Sequence, residues 1–338
     1  MNYLDGPVLG IETSCDETSV AVVKGKTLLS NIVSSQIAIH KSWGGIIPEL
    51  AAREHAENVS VVLQESLRTA GLQIADIKGI GVTNRPGLVG ALSVGLSFAK
   101  ALAYANRIPY IGIHHLEAHL LSPAINSDMT FPHVCLLISG GHTDLVQIHA
   151  PGEYTKLGGT IDDAAGEAFD KVARALGLGY PGGPPIELAA KTGNENAFQL
   201  PRGLKDPNFN FSFAGLKTAV KQLIEAEGPS LVVADAAASF QFTVSSVLSD
   251  RLVSAAREIG AKQISLVGGV AANKTIRNMV AKKAEAKGLQ LIVPPIDICT
   301  DNAAMVAHVA SWRLANGETS EWSLDALANS PIGVGESK

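Results

Sequence analysis

Two stretches of this chain follow one plan. VLGIETSCDETSVAVVKG (8–25) and VCLLISGGHTDLVQIHA (134–150) each run as an apolar strand, a turn of small polar residues, and a second apolar strand. Thr13, Ser14, Ser19 and Gly25 mark the first; Ser139, Gly140, Gly141 and Thr143 mark the second. Small residues let backbone N–H groups and hydroxyls come close to a phosphate or carboxylate. Either turn alone reads more readily as an ordinary hairpin. Two of them, one in each half, favour folds built from duplicated lobes.

The rest of the pattern is α/β. Strands are expected at 8–12, 19–23, 78–83, 109–113, 133–139, 144–149, 263–268 and 289–294. Helices are expected at 48–70, 88–105, 115–122, 162–177, 213–227, 234–259, 271–287 and 301–315. LVGGVAANKTIR (266–277) adds a buried strand, a Gly-Gly turn and a helix start. Together these match the actin/hexokinase/Hsp70-like (ASKHA) plan of two related lobes with a nucleotide cleft between them. The expected division is an N-terminal lobe at 1–130, a C-terminal lobe at 131–300, a final helix at 301–316 packing back on the first lobe, and a tail at 317–338. The longest expected loop is 193–210.

Composition narrows the class. The 338 residues are 46% hydrophobic and 17% charged, as in a compact globular protein. Cys15, Cys135 and Cys299 are few, odd in number and far apart, which argues against a disulfide framework and for a reducing compartment. No signal or transit peptide is legible at the N-terminus. The uncharged run at 86–99 is too short and glycine-rich to span a bilayer. The expected location is therefore the cytoplasm. A net charge of −5 gives no general basis for gripping nucleic acid. The lysines of 282–287 read best as a solvated helix face.

GIHHLEAHLLSP (112–123) places His114, His115 and His119 within six positions. On a helix, His115 and His119 are i and i+4 and share a face, as two metal ligands would. Two satisfied core histidines would look the same. A zinc-peptidase reading is poor on angle. The general base of HExxH lies about 100° round from the first histidine, whereas Glu117 lies about 200° from His115. Asp301, at the expected start of the last helix, is either a third ligand or a helix cap.

At this point the chain resembles the tRNA N6-adenosine threonylcarbamoyltransferases, the TsaD family once labelled O-sialoglycoprotein endopeptidases. The resemblance spans about residues 8–315. It is carried by GIETSCDETSVAVV, NRPGLVGAL, HHLEAHLLSP, LLISGGHTDLV, IDDAAGEAFDKVARALGLGYPGGP, FSFAGLKTAV, SFQ, LVGGVAANKTIR and CTDNAAM. SGGHT points to the bacterial type. The resemblance implies that His115, His119 and Asp301 hold one divalent metal per subunit, iron or zinc. It implies that Ile138, Ser139, Gly140, Gly141 and His142 meet threonylcarbamoyl-AMP and its phosphate. Asp170, Gly183 and Asn273 match nucleotide-binding positions. Glu187 stands where many relatives have Asp, within reach of a ribose hydroxyl. Lys217 falls near the active cleft, and the tail after 318 matches nothing. Read from the residues alone, Asp170 would pair with Lys171 or Arg174, Glu187 would be a helix-face residue, and Asn273 would be a helix cap.

The implied reaction moves a threonylcarbamoyl group from its AMP anhydride to N6 of adenine 37 of tRNAs reading ANN codons. No catalytic acid or base is legible. The implied partners are tRNA, a paralogous TsaB-type subunit, a TsaE-type ATPase and a TsaC-type synthase supplying the adenylate, with no membrane. The apolar helix at 87–105 is either a surface for such a partner or an internal core helix. Three rivals remain open on sequence: a small-molecule kinase of the same fold, a metallopeptidase, and a nucleotide-binding scaffold without transferase activity.

Overall fold

The computed structural model describes residues 1–41, 43–204 and 208–332. The expected loop at 193–210 and the tail at 317–338 thus lie partly outside the described residues. The described residues form two compact units, one of Met1–Asp128 with 297–332, the other of Met129–Ile296.

In the first unit the strands are β1 (Pro7–Glu12), β2 (Glu17–Lys24), β3 (Thr27–Ser35), β4 (Gly79–Arg85) and β5 (Tyr110–His114), ordered β3-β2-β1-β4-β5. β1, β2 and β3 are antiparallel neighbours, and β4 and β5 run parallel to β1. The short α1 (Ile37–Lys41) leads to α2 (Pro48–Ala70) and α3 (Val89–Asn106). Both pack on one face of the sheet, where Val59, Val62, Leu92 and Leu96 bury against Leu9, Ile11, Val20 and Val22. α3 is therefore a core helix along Leu92, Leu96 and Ala99, while Val89 and Tyr104 stay exposed. α4 (His115–Leu121) follows β5 directly.

The second unit repeats the order. Its strands are β6 (His133–Ile138), β7 (Thr143–Ala150), β8 (Glu153–Gly159), β9 (Gln263–Val267) and β10 (Gln290–Ile292), arranged β10-β9-β6-β7-β8. Again the first three are antiparallel and the last two parallel to the first. Its helices are α5 (Ala165–Ala175), α6 (Gly183–Ala190), α7 (Ala214–Glu227), α8 (Val233–Ile259) and α9 (Lys274–Glu285). Phe169, Phe211, Phe213 and Phe240 anchor its core.

After residue 297 the chain returns to the first unit and forms α10 (Ala303–Ala315). This helix lies against the sheet face opposite α2 and α3 at very close range. A Cβ on Gly10 would meet Ala307 N at 2.6 Å, and one on Gly81 would overlap Ala310 Cβ. Alanine on the helix and glycine on the strands permit this approach, and Ala303 through Ser311 are all buried.

Four elements, the short α1 with β3, β8 and α6, were absent from the sequence expectation. β3 and β8 are edge strands with mixed polar surfaces, burying one and two residues respectively. They lack the apolar alternation that marks a strand. α6 begins with Gly183, Pro184 and Pro185, which reads as a loop, yet proline is well tolerated in a first helical turn. No cysteine is in a disulfide, and no described helix is long and apolar enough to cross a membrane.

Candidate metal centre and nucleotide-binding turn

In the first unit, β5 ends at His114, whose Nδ1 accepts the Leu116 N–H at 3.2 Å and so caps α4. At the far end Ser122 Oγ donates to the His119 carbonyl at 2.8 Å. All seven residues of α4 are buried. The i, i+4 spacing brings the two imidazoles together, with ring centroids 4.7 Å apart and planes at 88°. Both Nε2 atoms face one oxygen. Asp301 Oδ1 lies 3.0 Å from His119 Nε2 and 3.5 Å from His115 Nε2.

Asp301 is not the cap of α10. Asn302 takes that role, accepting from Met305 N at 3.2 Å and tying Ile298 O and Thr300 O with its amide. Ser19 Oγ accepts the Ala303 N–H at 2.9 Å. The cap role of Asn302 leaves Asp301 turned toward the histidines, so the helix-cap reading of Asp301 does not hold.

The donor set suits a divalent ion. One atom from each of His115, His119 and Asp301 lies within 4.8 Å of the others. Tetrahedral bonds of about 2.1 Å would place ligand atoms about 3.4 Å apart, close to the two spacings seen. His119 Nδ1 is buried with no hydrogen-bond partner among the described residues, while Nε2 faces Asp301.

His115 has a second anchor that the sequence reading missed. Its Nδ1 lies 3.1 Å from Glu12 Oε2 and 3.2 Å from Ser14 Oγ. Glu12 is fully buried at the end of β1 and also accepts from Thr83 Oγ1 at 2.5 Å and Ser14 N at 2.6 Å. A carboxylate closing an otherwise apolar strand was the signal for it. A carboxylate on the far nitrogen of a ligating histidine fixes its tautomer and raises its basicity. Burial alone would lower the His115 pKa, but Asp301 and Glu12 outweigh it and hold the imidazole well above its usual range. Burial would raise Asp301, yet the two histidines hold it well below the carboxylate range. Neighbouring Glu17 is pushed up to about 10 by burial and by Asp301 and Asp16.

Glu117 points elsewhere, as its angle required. Its carboxylate, 2% exposed, takes Arg313 Nη2 at 2.8 and 2.9 Å and Nε at 3.1 Å. Held in this ion pair, Glu117 is not turned toward the histidines and Asp301, where the peptidase reading would need its general base.

The second unit holds the remaining predicted residues. Ile138 closes β6, buried, and the turn to β7 is pinned by Ser139 N to His142 O at 2.9 Å and His142 N to Ser139 Oγ at 3.1 Å. Gly140 and Gly141 are exposed with open space where a Cβ would stand. Their N–H groups have no protein partner among the described residues. The first turn of α5 braces the loop: Gly166 N donates to Ser139 O at 3.2 Å, and a Cβ there would meet Gly140 Cα at 2.8 Å. Gly268, at φ 91°, passes against Ile138, with a hypothetical Cβ 2.9 Å from its carbonyl carbon.

Asp170 is tied to the α5–α6 connection at the residue before Gly183. Asp170 Oδ1 accepts Gly182 N at 2.6 Å, and burial raises its pKa. Lys171 pairs instead with Asp163 at 2.7 Å and Glu167 at 2.6 Å, which removes one of the ion pairs the sequence offered Asp170. Lys217 joins Asp163 at 2.9 Å. Glu187 lies on α6 and accepts Lys274 N at 3.0 Å, which brings it to the start of α9. Asn273 caps α9 through Ile276 N at 3.0 Å, and its amide N–H meets Gln241 Oε1 at 2.8 Å. The structure thus gathers Glu187, Asn273 and the Gly-Gly turn around one helix start.

A family model for "tRNA N6-adenosine threonylcarbamoyltransferase" matches residues 27–308. Curated proteins of that name are similar along nearly the whole length. The one from Acaryochloris marina is 51% identical, covering 96% of this chain and 93% of its own. The one from Bacillus subtilis is 48% identical, covering 92% and 91%. Among solved structures, full-length HypF in its phosphate- and nucleotide-bound form aligns with a TM-score of 0.64 at 14% identity, over 95% of this chain and 48% of that one. Component A of the Acidaminococcus fermentans (R)-2-hydroxyglutaryl-CoA dehydratase aligns at 0.54 and 15% identity, over 90% and 96%. At such identities the structural matches speak to the fold.

Proposed function

Because this chain belongs to the tRNA N6-adenosine threonylcarbamoyltransferase family, we propose that it moves the threonylcarbamoyl group of threonylcarbamoyl-AMP to N6 of adenine 37 in tRNAs reading ANN codons. N6 attacks the carbamoyl carbon, the bond from that carbon to the phosphate oxygen breaks, AMP leaves, and N6 loses a proton. The observation that carries the reading is the convergence of His115, His119 and Asp301 in a chain that matches this family over most of its length.

In this reading His115, His119 and Asp301 hold iron or zinc, which supplies Lewis acidity and a fixed positive charge for the donor's oxygens. Glu12 holds the His115 ring by its Nδ1, so the nitrogen that faces Asp301 is set before substrate arrives. Gly140 and Gly141 offer backbone N–H groups to the departing phosphate. Ile138, Ser139 and His142 shape that turn, while Asp170, Gly183, Glu187 and Asn273 receive the adenosine part. Adenine 37 lies beside the anticodon in a loop, where a base can leave the stack without melting a duplex. A TsaB-type subunit, a TsaE-type ATPase and a TsaC-type synthase that makes the adenylate complete the proposed cytoplasmic system. The absence of strong basic charge from the chain supports shared tRNA binding.

The test uses the purified chain with these partners, labelled threonylcarbamoyl-AMP and unmodified tRNA, followed by nucleoside mass spectrometry. Label on adenine 37 is expected, with Asp301→Ala lowering the rate by at least about 100-fold, the scale of losing a catalytic charge. An unlabelled tRNA beside intact, bound adenylate would favour the scaffold reading.

A further inference from the structure

We propose that the segment after α10 clamps the metal-binding helix, acting through His114 as a positioning residue. The inference rests on reading His115, His119 and Asp301 as a metal site. It explains a stretch to which the sequence assigned no role.

β5 is the outer strand of its sheet, so one side of it has no strand partner. The segment following α10 runs along that side. Ser320 N donates to Tyr110 O at 2.9 Å, and Gly112 N donates to Ser320 Oγ at 3.0 Å. Further on, Asn84 of β4 binds it twice, through Asp325 O and Leu327 N, each at 3.0 Å. The segment then reaches the end of β5, where the Ser330 carbonyl lies 3.0 Å from His114 Nε2.

That last contact determines a proton. A carbonyl oxygen can only accept, so His114 Nε2 carries the hydrogen. Nδ1 is then a bare lone pair, which is what the Leu116 N–H needs as its cap. The tail therefore selects the tautomer that starts α4. With seven residues, α4 is too short to hold its shape by its own hydrogen bonds, so its orientation depends on such end fixtures. His115 is the next residue along, and His119 is one turn further. A tail that lets go removes the acceptor that fixes the Nε2 proton of His114, and both ligand rings lose one shared reference.

The test measures zinc affinity of the full chain by competition with a chromophoric chelator, and the ligand-field spectrum of the cobalt-substituted protein. Wild type should bind one zinc, and His119→Ala should not. If either fails, the metal reading itself is wrong. Given both, a chain ending at Ala328 and the variant His114→Asn should each bind zinc about 10-fold more weakly, with a shifted cobalt spectrum, and His114→Ala up to about 100-fold, the range seen for outer-shell partners of metal ligands. Combining the truncation with His114→Asn should add little to either alone, because both act through one contact. Hydrogen exchange in β1 and β4 confirms that each variant is folded. Unchanged zinc affinity and cobalt spectrum in the folded truncation would overturn the proposal, as would fully additive losses in the double variant.

Discussion

The two units share a strand order but end their first strands differently. The sixth and last residue of β1 is Glu12, buried and negative; the sixth and last of β6 is Ile138, buried and apolar. The following turns diverge to match. One is ETSCD, with the Glu12 carboxylate and the Ser14 hydroxyl folded toward His115. The other is SGGH, with two exposed glycines. A single scaffold thus offers side-chain oxygens in one copy and bare backbone N–H groups in the other. The first suits a cation and the second an anion. Duplication supplies the frame, and one strand-end residue with its turn decides the sign of what it meets.

The largest effect that sharpens this contrast concerns what the units have in common. Each has a buried histidine that the fold keeps neutral: burial lowers His133 to about 4 in the second unit and His308 to about 3 in the first. The unfolded chain takes up a proton near pH 6.5 that the fold refuses, so the stabilisation is complete above that pH and declines as pH falls toward 4. His133→Gln, which can keep a bond to Ser265, should flatten that decline by about 3 kcal/mol. Hydrogen exchange resolved over β6 and β9 measures it. An acid response unchanged by the substitution would mean the unit's acid sensitivity has another origin.

A smaller effect separates the units. Glu12→Gln keeps the size and the hydrogen-bonding reach of the side chain but removes the charge. Zinc affinity should fall about 10- to 100-fold, with AMP binding untouched. Calorimetry with each ligand in turn would show it, and equal loss of both would break the division of labour.

The smallest effect is the mirror of that one. The Cβ of Gly141→Ala falls in open space, so the fold should not change. Crowding a backbone N–H should weaken AMP binding by about 1 kcal/mol, the worth of one hydrogen bond, and leave zinc affinity as it was. Intact AMP affinity would remove the turn from the phosphate site.

Legibility in the sequence followed burial. Both hairpins were readable because β1, β2, β6 and β7 bury nearly every residue and present continuous apolar runs. β3 and β8 were not, because an edge strand with one polar face has no run to read. The pair His115 and His119 was readable because helix periodicity fixes which side chains meet. Asp301 was ambiguous because a carboxylate near a helix start looks like a cap until Asn302 is seen to occupy that role. Glu12 was missed as a partner of His115 because the contact joins positions 103 apart in sequence, through the parallel pairing of β1, β4 and β5. Glu117 was excluded by angle before its clamp to Arg313 was known.

The return of the chain to its first unit has a consequence in time. Asp301 and α10 are made after the whole of the second unit, yet Ala303, Ala307 and Ala310 fill the close face over Gly10 and Gly81. During synthesis the first sheet stands with that face bare and the triad one ligand short until the ribosome has passed residue 301. The pair of histidines must wait, in every molecule, for the other unit to be built. If the triad binds metal as proposed, capture comes near the end of biogenesis, and a chain cut short before α10 lacks the carboxylate of that site.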